Sequence, residues 1–158
     1  MIMDILNGNA LSTVMIFWLI ITAGCSALIV YTDIAFYWIP DKAAAFFAIC
    51  NGLALTCGLV HPDAMITILI AGGFCIIYAV KPDSVGSGDV KLVLALCLGC
   101  NDYGAYFMIL IAFLTALAGG LVLRMVKGKT ILPFGPYLLA GWWLALGFEK
   151  ELEVWFAL

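Results

Sequence analysis

Two aspartates stand where an ionisable side chain is costly. Asp33 closes a long apolar run in Val30-Tyr31-Thr32-Asp33-Ile34-Ala35-Phe36-Tyr37-Trp38-Ile39-Pro40, and Asp89 follows Gly86-Ser87-Gly88 at the head of another apolar segment. At membrane depth such a group costs on the order of 2.5–3.5 kcal/mol, which makes both functional candidates. Two carboxylates that share a small site cannot both ionise easily, so one keeps its proton while the other acts as a base. The pair can then drive water onto an amide, the ionised member taking the water proton and the neutral one polarising the carbonyl. Gly86 and Gly88 carry no side chain and would let an extended substrate backbone approach Asp89. A plainer reading is that Asp33 ends one helix and Asp89 N-caps another. Spacing alone leaves both open. A third irregular segment, Pro133-Phe134-Gly135-Pro136, breaks the chain late in the sequence. Irregular backbone at a membrane edge is tolerated where it is buried in protein or lines a wet cavity.

The elements that must position these residues are apolar helices. The 158 residues are 66% hydrophobic and 11% charged, against about 45–50% and about 25% in soluble domains. That balance excludes a water-soluble core. A span takes roughly 20 residues, so at most about seven fit, and the expected architecture is all-α: a single membrane-embedded domain, residues 1–158, with about six transmembrane helices. Apolar runs extend from Leu11 to about Tyr31, Ala43 to Val60, Ala64 to Val80, Val90 to Gly99, Tyr103 to Val126 and Pro136 to Phe148, the last continuing weakly toward Leu158. The first lacks a basic flank and a small-residue cleavage pattern and reads as a retained helix. The fourth is short for a span and is expected to begin inside the protein.

Charge placement orients the bundle. Lys42, Lys81, Lys91, Arg124, Lys127 and Lys129 fall in the loops after the first, third and fifth runs, leaving Lys150 alone on the other side. The positive-inside rule makes those loops cytoplasmic and both termini extracytoplasmic. Asp4, Asp63, Asp102, Glu149, Glu151 and Glu153 collect on the opposite face. Asp33, Asp89 and the Pro133–Pro136 break then share the cytoplasmic edge.

Other features read as scaffold. A net charge of −3 offers no basic surface for a phosphate backbone, so nucleic acid is not an expected partner. Cys97 and Cys100 form one C-x-x-C, with no second pair and no histidine nearby. This falls short of a zinc site. His61 is the only histidine, which disfavours a His-based metal cluster or a Ser-His-Asp triad; no metal or cofactor is expected. Ala112, Ala116 and Gly120, and likewise Gly72 with Gly73, read as close helix packing. Trp142, Trp143 and Trp155, and Tyr37 with Trp38, read as interfacial anchors. No internal repeat is visible.

At these motifs the chain resembles the prepilin peptidases, the type IV leader peptidases and their archaeal preflagellin relatives, which are polytopic aspartic proteases with a Gly-x-Gly-Asp motif. Asp33 followed by Ile39-Pro40 is similar to the family's first aspartate motif. Gly86-Ser87-Gly88-Asp89, running into Val90-Lys91-Leu92, is similar to the second, and Pro133-Phe134-Gly135-Pro136-Tyr137 to a late signature. The resemblance covers roughly Leu11 to Gly147. It implies a peptidase that removes the short basic leader of pilin-like precursors at the cytoplasmic face of the inner membrane, just before the substrate's hydrophobic helix. It further implies that Asp33 and Asp89 are the catalytic pair, with Gly86, Gly88, Pro133, Phe134, Gly135 and Pro136 shaping the site. Long family members carry a cytoplasmic domain with paired C-x-x-C motifs associated with N-methylation. Nothing comparable stands between the first two runs, so the likeness is to the short, peptidase-only members such as those of tight-adherence pilus systems. The stretch after Asp33, often basic in the family, is Ile34-Ala35-Phe36-Tyr37-Trp38, and Asp41 stands where asparagine is common. Asp41 and Asp83 could attract a basic leader.

Two other classes fit parts of the pattern. A presenilin-type intramembrane protease also uses Gly-x-Gly-Asp but would cut within a substrate's transmembrane helix. A small transporter or structural membrane subunit would use the aspartates as an ion site or as caps, although a transport site is expected nearer mid-membrane.

Overall fold

The computed structural model describes residues 2–82, 84–127 and 132–148. Asp83, Lys129, Glu149, Lys150, Glu151, Glu153 and Trp155, the side chains of Asp4 and Lys127, and the continuation toward Leu158 lie outside the described residues. The described chain is all-helical: α1 Ile2–Phe36, α2 Asp41–Thr56, α3 Ala64–Val80, α4 Ser87–Cys97, α5 Gly104–Lys127 and α6 Gly135–Gly147.

Local chemistry sets the ends of these helices. α1 stops where Tyr37 enters the left-handed region (φ 52°) and its N–H closes onto the Asp33 carbonyl at 2.9 Å, a conformation that usually falls to glycine. α2 starts behind Pro40, whose carbonyl accepts the N–H groups of Ala43 and Ala44. It ends in a Schellman pattern, Leu59 N–H to Ala54 O and Gly58 N–H to Leu55 O, with Gly58 at φ 69°. Asp63 N-caps α3 by accepting the Ile66 N–H at 2.8 Å. Two aspartate expectations need correction. Asp33 lies inside the last turn of α1 and does not terminate it, because Ile34-Ala35-Phe36 continue the helix. Asp89 is not the N-cap of α4; that position belongs to Gly86.

The helices run antiparallel in sequence order. At one end the α2–α3 and α4–α5 loops pair through a Pro62–Asp102 bridge and the Asp102 N–H to the His61 carbonyl. The His61 N–H also donates to the Asn101 side chain. At the other end the Asp41 carboxylate meets Lys91 at 2.7 Å, joining the starts of α2 and α4. Asp33, Asp89 and the start of α6 are at this second end.

α4 is the central element, with Val90, Leu92, Val93, Ala95, Leu96 and Cys97 all buried. Its 11 residues rise only about 16 Å at 1.5 Å each, half of a hydrocarbon core of about 30 Å. A short helix ending inside the protein leaves carbonyls that need partners. Asn51 Nδ2 donates to Ala95 O (2.8 Å), Cys100 Sγ to Leu96 O (3.4 Å) and Trp142 Nε1 to Gly99 O (3.2 Å), while Asn51 Oδ1 accepts from Trp18 Nε1 (3.0 Å). Asn51→Leu should therefore destabilise the protein by roughly 1–3 kcal/mol for each buried group left unpaired. Thermal unfolding of the detergent-solubilised variant reads this directly, and an unchanged midpoint would show the network to be dispensable.

Several packing expectations hold and others are overturned. Ala112 and Ala116 are buried in α5, where α6 approaches so closely that a Cβ on Gly141 would run into Met108 O and lie 3.2 Å from Ala112 N. Cys97 and Cys100 are buried and unbridged. Gly72 and Gly73 do not serve close approach, since nothing within 4 Å would meet a Cβ at either. Trp142 is not an interfacial anchor. It is fully buried and makes edge contacts with Trp18, Phe47 and Trp143 at centroid distances of 5.8, 5.2 and 5.0 Å.

The exterior is apolar, with Phe17, Met65, Ile68, Leu69, Ile76 and Leu117 exposed. Two helical stretches, Leu11–Phe36 and Gly104–Val126, are long and apolar enough to cross a membrane, and Ala64–Val80 is a shorter apolar helix. α2, α4 and α6, of 16, 11 and 13 residues, fall short of the roughly 20 that a full span takes.

Candidate active site

Asp33 and Asp89 line one cavity of about 400 Å³. Asp33 comes from the last turn of α1 and is buried. Its Oδ2 accepts the Gly135 N–H at 2.8 Å across 102 residues of sequence. Gly135 opens α6, so this N–H is one of the donors that a helix start leaves free, and the positive end of the helix dipole faces the carboxylate. A Cβ on Gly135 would lie 2.8 Å from Asp33 Oδ2 and 3.3 Å from Ile39 Cδ1, so a larger residue there would force these side chains to shift.

Asp89 enters from the other side, as the third residue of α4. Its carboxylate accepts the N–H of Gly86, the N-cap, which is the return half of a capping box. Part of the plainer reading therefore survives, because the hydrogen bond that caps α4 also holds Asp89 at the cavity. Since α4 does not span a bilayer, Asp89 sits at the head of a partial helix. Burial first, and the charge of Asp33 second, push its carboxyl up to about 6 against the opposing Gly86 hydrogen bond.

The remaining predicted site residues divide. Gly86, Pro133 and Phe134 line the cavity. Gly135 holds Asp33 from behind, and Pro136 occupies the first turn of α6, where a missing N–H costs nothing. Gly88 does not face the cavity, which corrects the expectation that it admits a substrate backbone; a Cβ there would lie 3.0 Å from Ile39 Cβ. Asp41 is engaged by Lys91 and so is not a free attractor for a basic leader.

Sequence reasoning missed the opposite wall. Phe74 of α3 and Phe113 of α5 line the cavity with Phe134, and Tyr37, Ser84, Val85 and Leu132 complete it. The rings adjoin, with centroids 6.3 Å apart for Phe74–Phe113 and 5.4 Å for Phe113–Phe134. Nothing in the spacing of two phenylalanines within uniformly apolar helices could have singled them out.

Fold and site together define an all-helical bundle with a two-carboxylate cavity at one end. No family model, curated protein or solved structure matches the chain.

Proposed function

We propose that this protein is a membrane-embedded aspartic endopeptidase of the prepilin peptidase type, removing the leader of pilin-like precursors at the cytoplasmic face of the inner membrane. The observation that carries this reading is the convergence of Asp33 and Asp89 on one cavity from helices far apart in sequence. The six helices are embedded in the bilayer, α2, α4 and α6 being shorter than a full span, with both termini extracytoplasmic. Lys42, Lys81, Lys91 and Arg124 lie toward the end that carries the cavity, in keeping with a cytoplasmic site.

In this mechanism a water between the carboxylates loses a proton to the ionised aspartate and attacks the scissile carbonyl, which the protonated aspartate polarises. Asp33, held by the N–H at the start of α6, is the ionised member, and Asp89 holds the proton. Collapse of the tetrahedral adduct breaks the C–N bond and returns a proton to the leaving amine. The phenylalanine wall suits the first apolar residues of the substrate helix, while the exposed basic leader stays in water.

Co-expression with a pilin-like precursor tests the proposal. A shortened product whose new N-terminus, by mass spectrometry, falls at the junction of leader and apolar helix supports it; a cut inside the helix would favour the presenilin type, and no cut would refute both.

The pH dependence follows from Asp89. With its carboxyl near 6, the singly protonated pair persists well above the ordinary carboxylate range and is lost as pH rises. The rate of cleavage in detergent should therefore fall on the alkaline side with an apparent midpoint near 6, the value belonging to the pair as a unit. A rate that is flat from pH 5 to 8 would contradict this assignment of acid and base.

A further inference from the structure

Ile39 is buried, 4% exposed, although it belongs to the short connection between α1 and α2, and connecting segments ordinarily run over the surface. Its neighbours Tyr37 and Trp38 are exposed. The left-handed turn at Tyr37 folds the chain back so that Ile39 points into the protein. There it touches the first turns of two other helices. A Cβ on Gly88 would lie 3.0 Å from Ile39 Cβ and 3.6 Å from Cγ1, and a Cβ on Gly135 would lie 3.3 Å from Ile39 Cδ1. Gly88 immediately precedes Asp89, and Gly135 is the residue whose N–H holds Asp33. One side chain thus fills the space between the two backbone points from which the two carboxylates are set.

We propose that Ile39 is a positioning residue, a wedge between the start of α4 and the start of α6 that sets the separation of Asp33 and Asp89. The inference rests on reading that pair as the catalytic dyad. Ile39 is not among the residues lining the cavity, so it acts on the reaction through the two aspartates and not on the substrate. The side chain bridges the gap: its Cβ rests on Gly88 while the longer arm reaches Gly135. The cavity is lined by only three ionisable groups among the described residues, Asp33, Asp89 and Tyr37, so a change in carboxylate separation has few other sources of titration to be confused with.

The test is a graded series. Ile39→Val removes only the Cδ1 that meets Gly135, and Ile39→Ala removes the whole arm. Because a misplacement of about 1 Å can cost roughly 100-fold in rate, kcat should fall about 100-fold in the alanine variant and less in the valine variant, with KM within about twofold of wild type. The alkaline limb of the kcat profile should move by about half a pH unit or more, as the mutual repulsion of the carboxylates changes with their distance. A merely structural role would lower stability without moving that limb. An unchanged kcat, or a lower kcat on an unmoved pH profile, would overturn the wedge; if the alanine variant does not fold, the valine variant decides by the same criteria. Should the wild-type protein cleave no precursor, the peptidase reading fails separately. Infrared titration of the protonated carboxyl band, assigned with Asp89→Asn, then decides for Ile39: a displaced titration in Ile39→Val or Ile39→Ala supports it and a superimposable one rejects it.

Discussion

Asn in place of Asp33, or of Asp89, is expected to lower precursor cleavage by roughly a thousandfold or more, within the range that general acid–base groups supply. The substitutions are nearly isosteric and spare the scaffold. At residue 33 an Asn side-chain oxygen can still accept the Gly135 N–H that now reaches Oδ2 at 2.8 Å, so the α1–α6 contact persists while the charge is lost. At residue 89 the same holds for the Gly86 N–H. In the proposed mechanism the two groups act as a unit, so the double variant should be no worse than either single one, a non-additivity that independent sites would not show.

Stability provides a second, independent reading of the same variants. The Asp89 carboxyl titrates in the folded protein near 6, above its unfolded value of 3.8. A raised acid costs stability wherever the unfolded chain would be ionised: the penalty is absent below pH 3.8, grows between 3.8 and 6 while the folded carboxyl still holds its proton, and is complete above 6. Asp89→Asn removes that penalty, so its melting temperature should gain on wild type as pH rises through this window. A variant that is inactive and yet more stable at pH 7 than wild type marks a residue kept for chemistry. Efficient cleavage by either folded variant would end the dyad proposal, and a lower stability of Asp89→Asn at every pH would reduce Asp89 to a helix cap.

Trp142→Ala is expected to cost about 3–5 kcal/mol, the range for removing a large aromatic from a packed core. Trp142 is fully buried, meets three other rings edge-on and donates to Gly99 O. Each ring pair is worth roughly 0.5–1.5 kcal/mol beyond its buried area. Its loss also leaves the Gly99 carbonyl, just past the end of α4, without this donor. An interfacial tryptophan would behave differently, anchoring depth in the bilayer and leaving the unfolding midpoint nearly unchanged. Thermal or denaturant unfolding in detergent separates the two, and a midpoint within a degree or two of wild type would remove Trp142 from the core.

That residue also shows where the sequence could be read and where it could not. Asp33 and Asp89 were legible because a charge inside an apolar run stands out against its background, and the turn residues around His61-Pro62-Asp63 and Lys81-Pro82 marked helix ends to within a few positions. The end of α1 was less legible: Ile34-Ala35-Phe36 suit a helix as well as a loop, and the chain stops at Tyr37 in a conformation that residue type alone would assign to glycine. Trp142 was misplaced because α6 is apolar on every side. A helix with a polar face declares which side is buried; Gly135–Gly147 does not. The same uniformity concealed Phe74 and Phe113 and made Gly72-Gly73 resemble a packing motif that the structure leaves open.

By itself, then, the sequence determined the helical class, the six apolar runs, and the two carboxylates worth attention, because these depend on composition, run length and local charge. Only the tertiary structure decided that Asp33 meets the first N–H of α6, that Gly88 rests on Ile39 and that Gly141 lies against the α5 backbone. These contacts depend on how uniformly apolar helices rotate about their axes and how closely their backbones approach. Side-chain volume and backbone shape set both, and neither leaves a periodic mark in the chain.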